Sequence, residues 1–387
     1  MRINVRACSA SRSSRGPSSE LAALATVVAS AAHITSLHAR RQHRRRGRGR
    51  GDDGVHMKAD ASPVTAADLA VQAFVSIALK GELIAEESTV PHVLTSTVLS
   101  LVRAGVRNHA RTRGRRIAAP APRCADDLNA LLNTNRCAAH RDTGAHWVLD
   151  PIDGTKGFLR ERENAQFAVA LAKVDASSGE PIVGLVALPR YAFTQKKTKT
   201  KTKTTMMMSS ETMRGILVCA ERGYGAWWTP LTSFDDAPGA IVWRRAHVDD
   251  ARFMSEASVI ISDHEDWNEL PLAQHYDGGE PRAVRHLCCG SIAKYIAVAL
   301  GHASVFVQHP RDMTADSDDV QLRKTWDHAA AWPILLEAGG YLSDLDGPIR
   351  TLGTGEDFAP AGNCIIASST SSIDESVRAA LQRAFRQ

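Results

Sequence analysis

The first eighteen residues contain no Asp or Glu, although four of them are Arg. A basic, acid-free and Ser-rich start is typical of a mitochondrial or plastid transit segment. A secretory signal with residues 21–32 as its apolar core is the alternative, but Glu20 interrupts its basic lead-in. We therefore predict that residues 1–18 direct the protein to a chloroplast or mitochondrion. Without such a transit segment we expect a cytoplasmic protein.

The seven cysteines are odd in number and form no C-x-x-C pair. Their spacing therefore excludes a disulfide framework and a structural zinc site, and it indicates a reducing compartment. Adjacent Cys288 and Cys289 stand in an apolar run. We predict that they are small core residues rather than a redox pair.

No apolar run reaches the ~20 residues that a membrane-spanning helix needs, so we expect no membrane partner. Apolar residues from Leu21 to Leu37 instead recur at helical spacing. This periodicity predicts that residues 20–42 form the first helix of the folded part.

Aromatic residues are missing from the basic tract at residues 44–51, which reads R-R-R-G-R-G-R-G. The net charge of +5 arises in the Arg-rich first fifty residues, and the remaining chain is closer to neutral. The tract is therefore predicted to be a solvated, flexible loop, and nucleic acid is not expected as a partner. The chain is expected to act as a monomer.

The chain has 387 residues, of which 44% are hydrophobic, so it can bury a large core in two domains or one layered domain. A Lys/Thr repeat and three successive Met predict a disordered insertion at residues 195–212. We predict an N-terminal domain at residues 19–194 that binds metal. Strands and helices alternate after the insertion, which predicts an α/β domain at residues 213–387 that binds substrate.

The central motif of the chain is W-V-L-D-P-I-D-G-T-K-G-F-L-R, from Trp147 to Arg160. Apolar residues that run into acids predict a buried strand with polar groups at its carboxyl end. Asp150 and Asp153 can then share one site, and such hard oxygen donors suit Mg²⁺. For a bare D-x-x-D-G, a turn with solvated acids is the alternative interpretation.

The longer string resembles a known family. D-P-I-D-G-T is similar to the signature of the lithium-sensitive, Mg²⁺-dependent phosphomonoesterases that include inositol monophosphatases. The flanking W-V-L and K-G-F-L-R are most similar to 3′(2′),5′-bisphosphate nucleotidases, which remove the 3′-phosphate from 3′-phosphoadenosine 5′-phosphate. The resemblance covers residues from about 20 to the C-terminus. It implies an α+β, layered αβαβα fold with a mostly antiparallel N-terminal sheet and a smaller C-terminal α/β domain.

The resemblance also implies a site for two or three Mg²⁺ ions. L-I-A-E-E-S resembles the family's G-E-E segment, with Ala85 in place of Gly, and W-D-H-A-A followed by E-A-G-G resembles its second signature. The metal ligands that follow are Glu86, Asp150, the Ile152 carbonyl, Asp153 and Asp327. Four carboxylates this close would repel each other without bound cations.

Catalytic and substrate-binding residues are implied in the same way. S-P-V-T-x-x-D places Asp68 near the metals, where it would hold Thr155 to position and deprotonate a water. The Gly154 and Thr155 N–H groups would bind the phosphate. Further substrate contacts are expected from His264, Ser291 and Lys294 of S-x-x-K-Y, and Asp327.

Besides Ala85, two positions depart from the family. Gln308 stands where the family has an Arg, so the contact with the 5′-phosphate or the base is in question, because Gln lacks a charged planar fork. Pro333 stands inside the helix that is expected to begin near Ala329, where it would remove a hydrogen bond and kink the helix.

We predict a Mg²⁺-dependent 3′(2′),5′-bisphosphate nucleotidase that acts on 3′-phosphoadenosine 5′-phosphate. Whether 3′-phosphoadenosine 5′-phosphosulfate is also a substrate stays open. An inositol-phosphate phosphatase of the same fold is the first alternative, although K-G-F, S-x-x-K-Y and W-D-H argue against it. A catalytically silent, basic RNA-binding protein is the second.

Overall fold

The computed structural model describes residues 16–385 except 47–54, 59–62, 80–82, 114–116, 118–119, 135–143, 161–164, 197–209, 236–240, 310–321 and 354. Most of the predicted transit segment, of the Arg/Gly tract and of the Lys/Thr insertion lies outside the described residues.

The described part contains helices and strands in the following order. The helices are α1 (Ser19–Arg46), α2 (Ala66–Ala78), α3 (Thr95–Arg113), α4 (Ala125–Thr134), α5 (Thr155–Leu159), α6 (Pro271–His275), α7 (Ile292–Ala299), α8 (Ala331–Glu337) and α9 (Ser371–Phe385). The strands are β1 (Val55–Met57), β2 (Pro63–Thr65), β3 (Leu83–Ala85), β4 (Ala145–Asp153), β5 (Ala168–Asp175), β6 (Pro181–Lys196), β7 (Ser210–Glu221), β8 (Gly225–Pro230), β9 (Arg244–Arg245), β10 (Ser258–Ser262), β11 (Ala283–Leu287), β12 (Val305–Gln308), β13 (Arg323–Lys324), β14 (Tyr341–Ser343), β15 (Asp357–Phe358) and β16 (Ile365–Ser368).

The first large sheet has seven strands in the order β3-β4-β5-β6-β7-β8-β9. Strand β3 runs parallel to β4, and the other neighbours are antiparallel. Side chains alternate between the two faces, as they do in any strand. Val169 and Leu171 of β5 pack on one face with α1–α4, whereas Ala170 packs on the other face with α7 and α8.

The second large sheet has five strands in the order β11-β10-β12-β16-β14. Strand β10 is parallel to both of its neighbours, and β16 is antiparallel to β12 and β14. Ile260 and Phe306 face α7 and α8, while Val259 and Val305 face the other side, where α6 and α9 pack. The layers are therefore helix, sheet, helix, sheet, helix, which confirms the predicted αβαβα architecture.

The predicted insertion lies within a hairpin of the first sheet. Strands β6 and β7 pair as far as Lys196 and Ser210, so the ends of the segment predicted as disordered form strand. The sheet then continues through β8 to β9. If the chain is divided into domains by its two large sheets, the boundary falls between Arg245 and Ser258. This is later in the chain than the predicted boundary at residues 195–212.

Helix α3 is longer than predicted. The sequence pattern by itself predicts a helix near residues 93–102 and a basic insertion at 103–116, yet α3 continues to Arg113. The basic residues Arg103 and Arg107 are exposed, while Leu101 and Val102 are fully buried. The stretch thus keeps one apolar face, and Arg103 and Arg107 occupy the solvent face of the same helix.

Pro333 does not kink its helix, so that expectation was wrong. Helix α8 begins at Ala331, which puts Pro333 in the first turn. First-turn N–H groups have no partner within the helix, so a Pro there removes no hydrogen bond. The ring instead packs against β6, where a Cβ at Gly184 would lie 2.8 Å from Pro333 Cγ.

Helix α1 confirms the helix predicted for residues 20–42 and extends it at both ends. Although no apolar run of membrane-spanning length was expected, residues Ser19–Arg44 are long and apolar enough for such a span by composition. In the structure 67% of the most apolar window is buried. Leu21, Val28 and Ile34 lie in the core that the first sheet forms with α2 and α3.

Candidate active site

The strand ends bring acids together as the sequence predicts. Strands β3 and β4 are parallel, and Ala85 pairs with Leu149. The residue after Ala85 and the residue after Leu149 therefore lie side by side at the same edge of the sheet. Glu86 and Asp150 are these next residues. Gln72 of α2 fixes the end of β3, since its amide bonds the Glu87 backbone carbonyl at 2.6 Å and the Glu87 N–H at 3.0 Å.

A tight turn follows β4 at Gly154, which has φ of +79°. A Cβ at this position would lie 2.9 Å from the Gly290 nitrogen, so the close approach of the two segments requires Gly. Helix α5 begins directly afterwards at Thr155. The turn therefore carries the predicted phosphate-binding N–H groups of Gly154 and Thr155 at the start of a helix.

Asp153 links the two halves of the site. Its carboxylate accepts hydrogen bonds from the backbone N–H groups of Ser291 at 3.2 Å and Ile292 at 3.0 Å, at the start of α7. Burial raises the pKa of Asp153 to about 6, although the two N–H groups and Lys294 oppose this shift. The carboxylate is thus held by the N-terminus of α7 from the second half of the chain.

Three predicted metal ligands converge. One carboxylate oxygen each of Asp150, Asp153 and Asp327 lies within 4.8 Å of the others, although these residues come from distant parts of the chain. Asp150 is only 2% exposed, and its Oδ1 is buried without a hydrogen-bond partner in the described structure. Burial and then the neighbouring carboxylates raise the pKa of Asp150 well above its ordinary value. Such an arrangement of oxygen donors fits a hard divalent cation.

The fourth predicted ligand, Glu86, is near this cluster but is bound to a lysine. The pairing of Ala85 with Leu149 puts Glu86 beside Asp150, and its charge contributes to the raised pKa of Asp150. Lys58 Nζ lies 2.7 Å from Glu86 Oε1 and 2.6 Å from Glu87 Oε1. Glu87 is 4% exposed, and burial together with Glu86 and Asp68 raises its pKa to about 8. Lys58 stands four residues before Ser62 of the S-P-V-T segment, and no pattern in the sequence indicated it as a site residue.

The Asp68 carboxylate is part of a capping box at the start of α2. It accepts hydrogen bonds from the Thr65 N–H at 2.8 Å and the Thr65 hydroxyl at 2.5 Å. Thr155 Oγ1 is 3.5 Å from Asp68 Oδ1 and 3.2 Å from the Ile152 carbonyl oxygen. Burial raises the pKa of Asp68 to about 7, against the Thr65 hydrogen bonds. The predicted Asp68 and Thr155 pair is therefore present at the long limit of a hydrogen bond.

Ser291 and Lys294 lie beside the acids, but both side chains are turned to the protein. The Ser291 hydroxyl donates to the Asp327 carbonyl at 3.2 Å. Lys294 is 4% exposed, and its ammonium donates to the Gly290 carbonyl at 2.8 Å. Burial lowers the pKa of Lys294, opposed first by Asp153. The pair thus orders the loop between Cys289 and α7, and a direct substrate contact stays a prediction.

The other two predicted substrate residues belong to the second sheet, where His264 follows β10 and Gln308 ends β12. The His264 side chain is 79% exposed, 3.8 Å from Asp263. Gln308 ends β12, and its Oε1 is buried without a partner in the described structure. Arg323 donates to the Gln308 backbone carbonyl at 3.4 Å and to the His309 carbonyl at 3.0 Å, so a guanidinium is present next to this position.

Cys288 and Cys289 are joined in a disulfide, so the prediction that they are not a pair was wrong. Cys289 has φ of +68°, which turns the backbone just before Gly290. Cys288 is buried, as a core residue would be. Arg160 Nη1 lies 3.3 Å from the Cys288 sulfur.

Arg190 is a further site residue that the sequence did not indicate. Its guanidinium donates to the carbonyls of Gly157 at 2.8 Å, Phe158 at 3.1 Å and Arg160 at 2.8 Å. These carbonyls end α5, whose first residue is Thr155. A cation near the last carbonyls of a helix is favourable. Arg190 therefore anchors the segment that carries the phosphate-binding turn.

Comparisons with known proteins identify the family of the chain. A model of the inositol monophosphatase family matches residues 19–385. A protein of Arabidopsis thaliana named, provisionally, a mitochondrial 3′(2′),5′-bisphosphate nucleotidase is 29% identical over 81% of this chain and 76% of its own. The 3′,5′-bisphosphate nucleotidase AHL of the same plant is 29% identical over 84% of this chain and 87% of its own.

Solved structures share the fold. Thermotoga maritima IMPase has a TM-score of 0.54 and 17% identity, covering 95% of this chain and 98% of its own. The extragenic suppressor protein suhB from Bartonella henselae has a TM-score of 0.52 and 18% identity, covering 95% and 99%. At this level of identity the likeness concerns the fold alone.

Proposed function

The chain belongs to the inositol monophosphatase family, and from this premise we propose that it is a Mg²⁺-dependent nucleotidase. It hydrolyses the 3′-phosphate of 3′-phosphoadenosine 5′-phosphate to give AMP and inorganic phosphate. The observation that carries the proposal is the convergence of Asp150, Asp153 and Asp327 at one edge of the first sheet. The names of the curated relatives support the choice of substrate.

The residues present fit the metal that the family implies. All the proposed ligands offer oxygen, namely Glu86, Asp150, the Ile152 carbonyl, Asp153 and Asp327. The buried, unpartnered Oδ1 of Asp150 would gain a partner, and repulsion among the acids would fall. We propose two or three Mg²⁺ ions. When bound, they would activate a water nucleophile and stabilise charge on the phosphate and the leaving oxygen.

Side chains of the site would orient the attacking water, and the backbone of the turn at Gly154 would bind the phosphate. Asp68, which Thr65 orients, would accept a hydrogen bond from Thr155 and so hold the hydroxyl toward the attacking water. The Gly154 and Thr155 N–H groups would donate to the phosphate oxygens. No side chain of the site is proposed to become phosphorylated, because water is the nucleophile.

An inositol-phosphate phosphatase is the close alternative. K-G-F after the D-G-T, together with S-x-x-K-Y and W-D-H, supports the nucleotide. The test is the ratio of kcat/KM on 3′-phosphoadenosine 5′-phosphate and on inositol 1-phosphate at saturating Mg²⁺. We expect the nucleotide to be preferred at least tenfold, and a preference for inositol 1-phosphate would refute the substrate assignment while leaving the metal site intact. The kcat/KM on 3′-phosphoadenosine 5′-phosphosulfate should be measured in the same experiment.

We also propose that residues 1–18 address the protein to the mitochondrion. The basic, acid-free composition of the segment supports this address, as does the mitochondrial name of one relative. A fluorescent protein fused behind these residues should enter mitochondria, and retention in the cytoplasm or import into plastids would refute the proposal.

A further inference from the structure

A basic cavity lies between α1 and α3, apart from the carboxylate cluster. Its volume is about 430 Å³, which is in the range of pockets that hold small organic ligands. Those lining residues that the structure describes all carry polar groups, and none of them is acidic: they are His38, Arg41, Gln42, Arg44, Ser96, Thr97 and Ser100. The cavity is therefore rich in donors and suited to an anion.

The two arginines of the cavity are available for a ligand. Arg41 Nη1 donates to Ser100 Oγ at 3.2 Å, so this guanidinium is held between the two helices. Arg44 is three positions later, on the same side of α1, and it is exposed. Neither arginine forms an ion pair with a described acid. Their charges outweigh the partial negative charge expected at the end of α1.

A second observation is that Gln42 offers an acceptor for a hydrogen-bond donor. Gln42 lines the cavity and its amide nitrogen lies 3.4 Å from His38 Nε2. The Gln42 Oε1 atom is buried and has no hydrogen-bond partner in the described structure. A buried carbonyl oxygen without a partner is costly, and a ligand hydroxyl would satisfy it once the Gln42 side chain turns this oxygen into the cavity.

We propose that this cavity binds a phosphorylated sugar or polyol. The phosphate would accept hydrogen bonds from Arg41 and Arg44, with Ser96, Thr97 and Ser100 as further donors, and a ligand hydroxyl would donate to Gln42. Guanidinium groups recognise phosphate oxygens through paired hydrogen bonds. The site is separate from the proposed catalytic phosphate site, which is at Gly154.

The cavity nevertheless touches the catalytic segment through one aromatic contact. His38 lines the cavity, and its ring stacks on Phe158 of α5 with 6.0 Å between the centroids. Helix α5 starts at Thr155 of the phosphate-binding turn. A ligand beside His38 would therefore contact the residue against which Phe158 of α5 packs.

The test is calorimetric titration of the full chain in EDTA with ribose 5-phosphate, with ribose and inorganic phosphate as comparison ligands. Without metal ions, the carboxylate cluster repels anions, so the catalytic site does not contribute. We expect one site per chain for ribose 5-phosphate, weaker binding of phosphate and none of ribose. Arg41→Met should weaken binding at least tenfold, and Gln42→Leu should reduce the advantage of ribose 5-phosphate over phosphate.

Two further variants keep the proposal open to refutation. Arg44→Glu changes an exposed position and serves if Arg41→Met does not fold, and it should also abolish binding. Arg222→Met removes a surface arginine that pairs with Glu180, and binding should be unchanged. Absence of ribose 5-phosphate binding, or equal binding in all the variants, would overturn the proposal. So would binding of an RNA oligonucleotide without binding of ribose 5-phosphate.

Discussion

The Asp153 carboxylate lies 3.0 Å from the backbone nitrogen of Ile292, a residue 139 positions later in the chain. This hydrogen bond joins the end of β4 in the first sheet to the first turn of α7. One proposed metal ligand is thus oriented by the half of the molecule that carries another, Asp327. Packing of the two halves and assembly of the metal centre should therefore depend on each other.

Gly290→Ala tests this dependence. Gly290 has φ of +68°, and a Cβ there would lie 2.5 Å from Asp153 Oδ2. The carboxylate must shift, so we expect kcat to fall ~100-fold, as is usual for a misplaced catalytic group. Gly223→Ala is the matched control, because Gly223 has φ of +82° but nothing within 4 Å. The control should lose about 1–3 kcal/mol of stability and no activity. Similar kcat values for the two variants would contradict this view of Asp153.

Lys58→Met tests the lysine that pairs with Glu86 and Glu87. Its ammonium occupies a place where it offsets the negative charge of the metal site. Removing it should tighten Mg²⁺ binding severalfold, because each remaining carboxylate then attracts the cation without competition. Calorimetric titration with Mg²⁺ measures the dissociation constant directly. Arg222→Met is the control, and weaker Mg²⁺ binding by Lys58→Met would show that the ammonium supports the ions instead.

Arg190→Lys tests the anchor at the end of α5. A lysine keeps the charge but cannot reach three carbonyls in one plane, so we expect a loss of about 1–3 kcal/mol in the free energy of unfolding. KM for the nucleotide should also rise, since the turn at Gly154 becomes less ordered. Arg244→Lys is the control, because Arg244 lies 4.8 Å over the Trp228 ring in an edge strand. An unchanged KM in Arg190→Lys would limit its role to stability.

His302 should make stability depend on pH. Burial, aided by Arg285, lowers the pKa of His302 to about 4, and its Nδ1 is 3.0 Å from the Tyr191 hydroxyl. The unfolded chain, with a pKa near 6.5, binds the proton more readily, so this stabilisation is lost as the pH falls from 6.5 toward 4.

His302→Gln removes this dependence. The difference in unfolding free energy between wild type and variant should be smaller at pH 5 than at pH 7 by about 1–2 kcal/mol. Urea unfolding at the two pH values measures it. A difference that stays constant with pH would mean that His302 has an ordinary pKa in the folded protein.

The metal ligands were predictable because they follow strands and carry a local signature. Asp150 and Asp153 stand at the end of an apolar run, and the parallel pairing of β3 with β4 brings Glu86 to the same edge. Lys58 and Arg190 were not predictable in this way. Their roles come from contacts across 28 or more positions, which neither periodicity nor spacing encodes.

The predicted ends of helices were wrong where a local sequence pattern had two interpretations. The Arg residues of α3 suggested an insertion, although they form the solvent face of a helix. Pro333 suggested a kink because the start of α8 could not be fixed to within two residues, and Pro is harmless in a first turn.

The most direct test of the proposed nucleotidase is inorganic phosphate release from 3′-phosphoadenosine 5′-phosphate with Mg²⁺ and with EDTA. We predict release that requires Mg²⁺ and falls at least ~100-fold in Asp150→Asn, which corresponds to ~2.7 kcal/mol of transition-state stabilisation. Asp277→Asn, at an acid whose side chain is 89% exposed, should retain full activity. Release that persists in EDTA, or that Asp150→Asn leaves unchanged, would contradict the assignment of the carboxylate cluster as the catalytic metal centre.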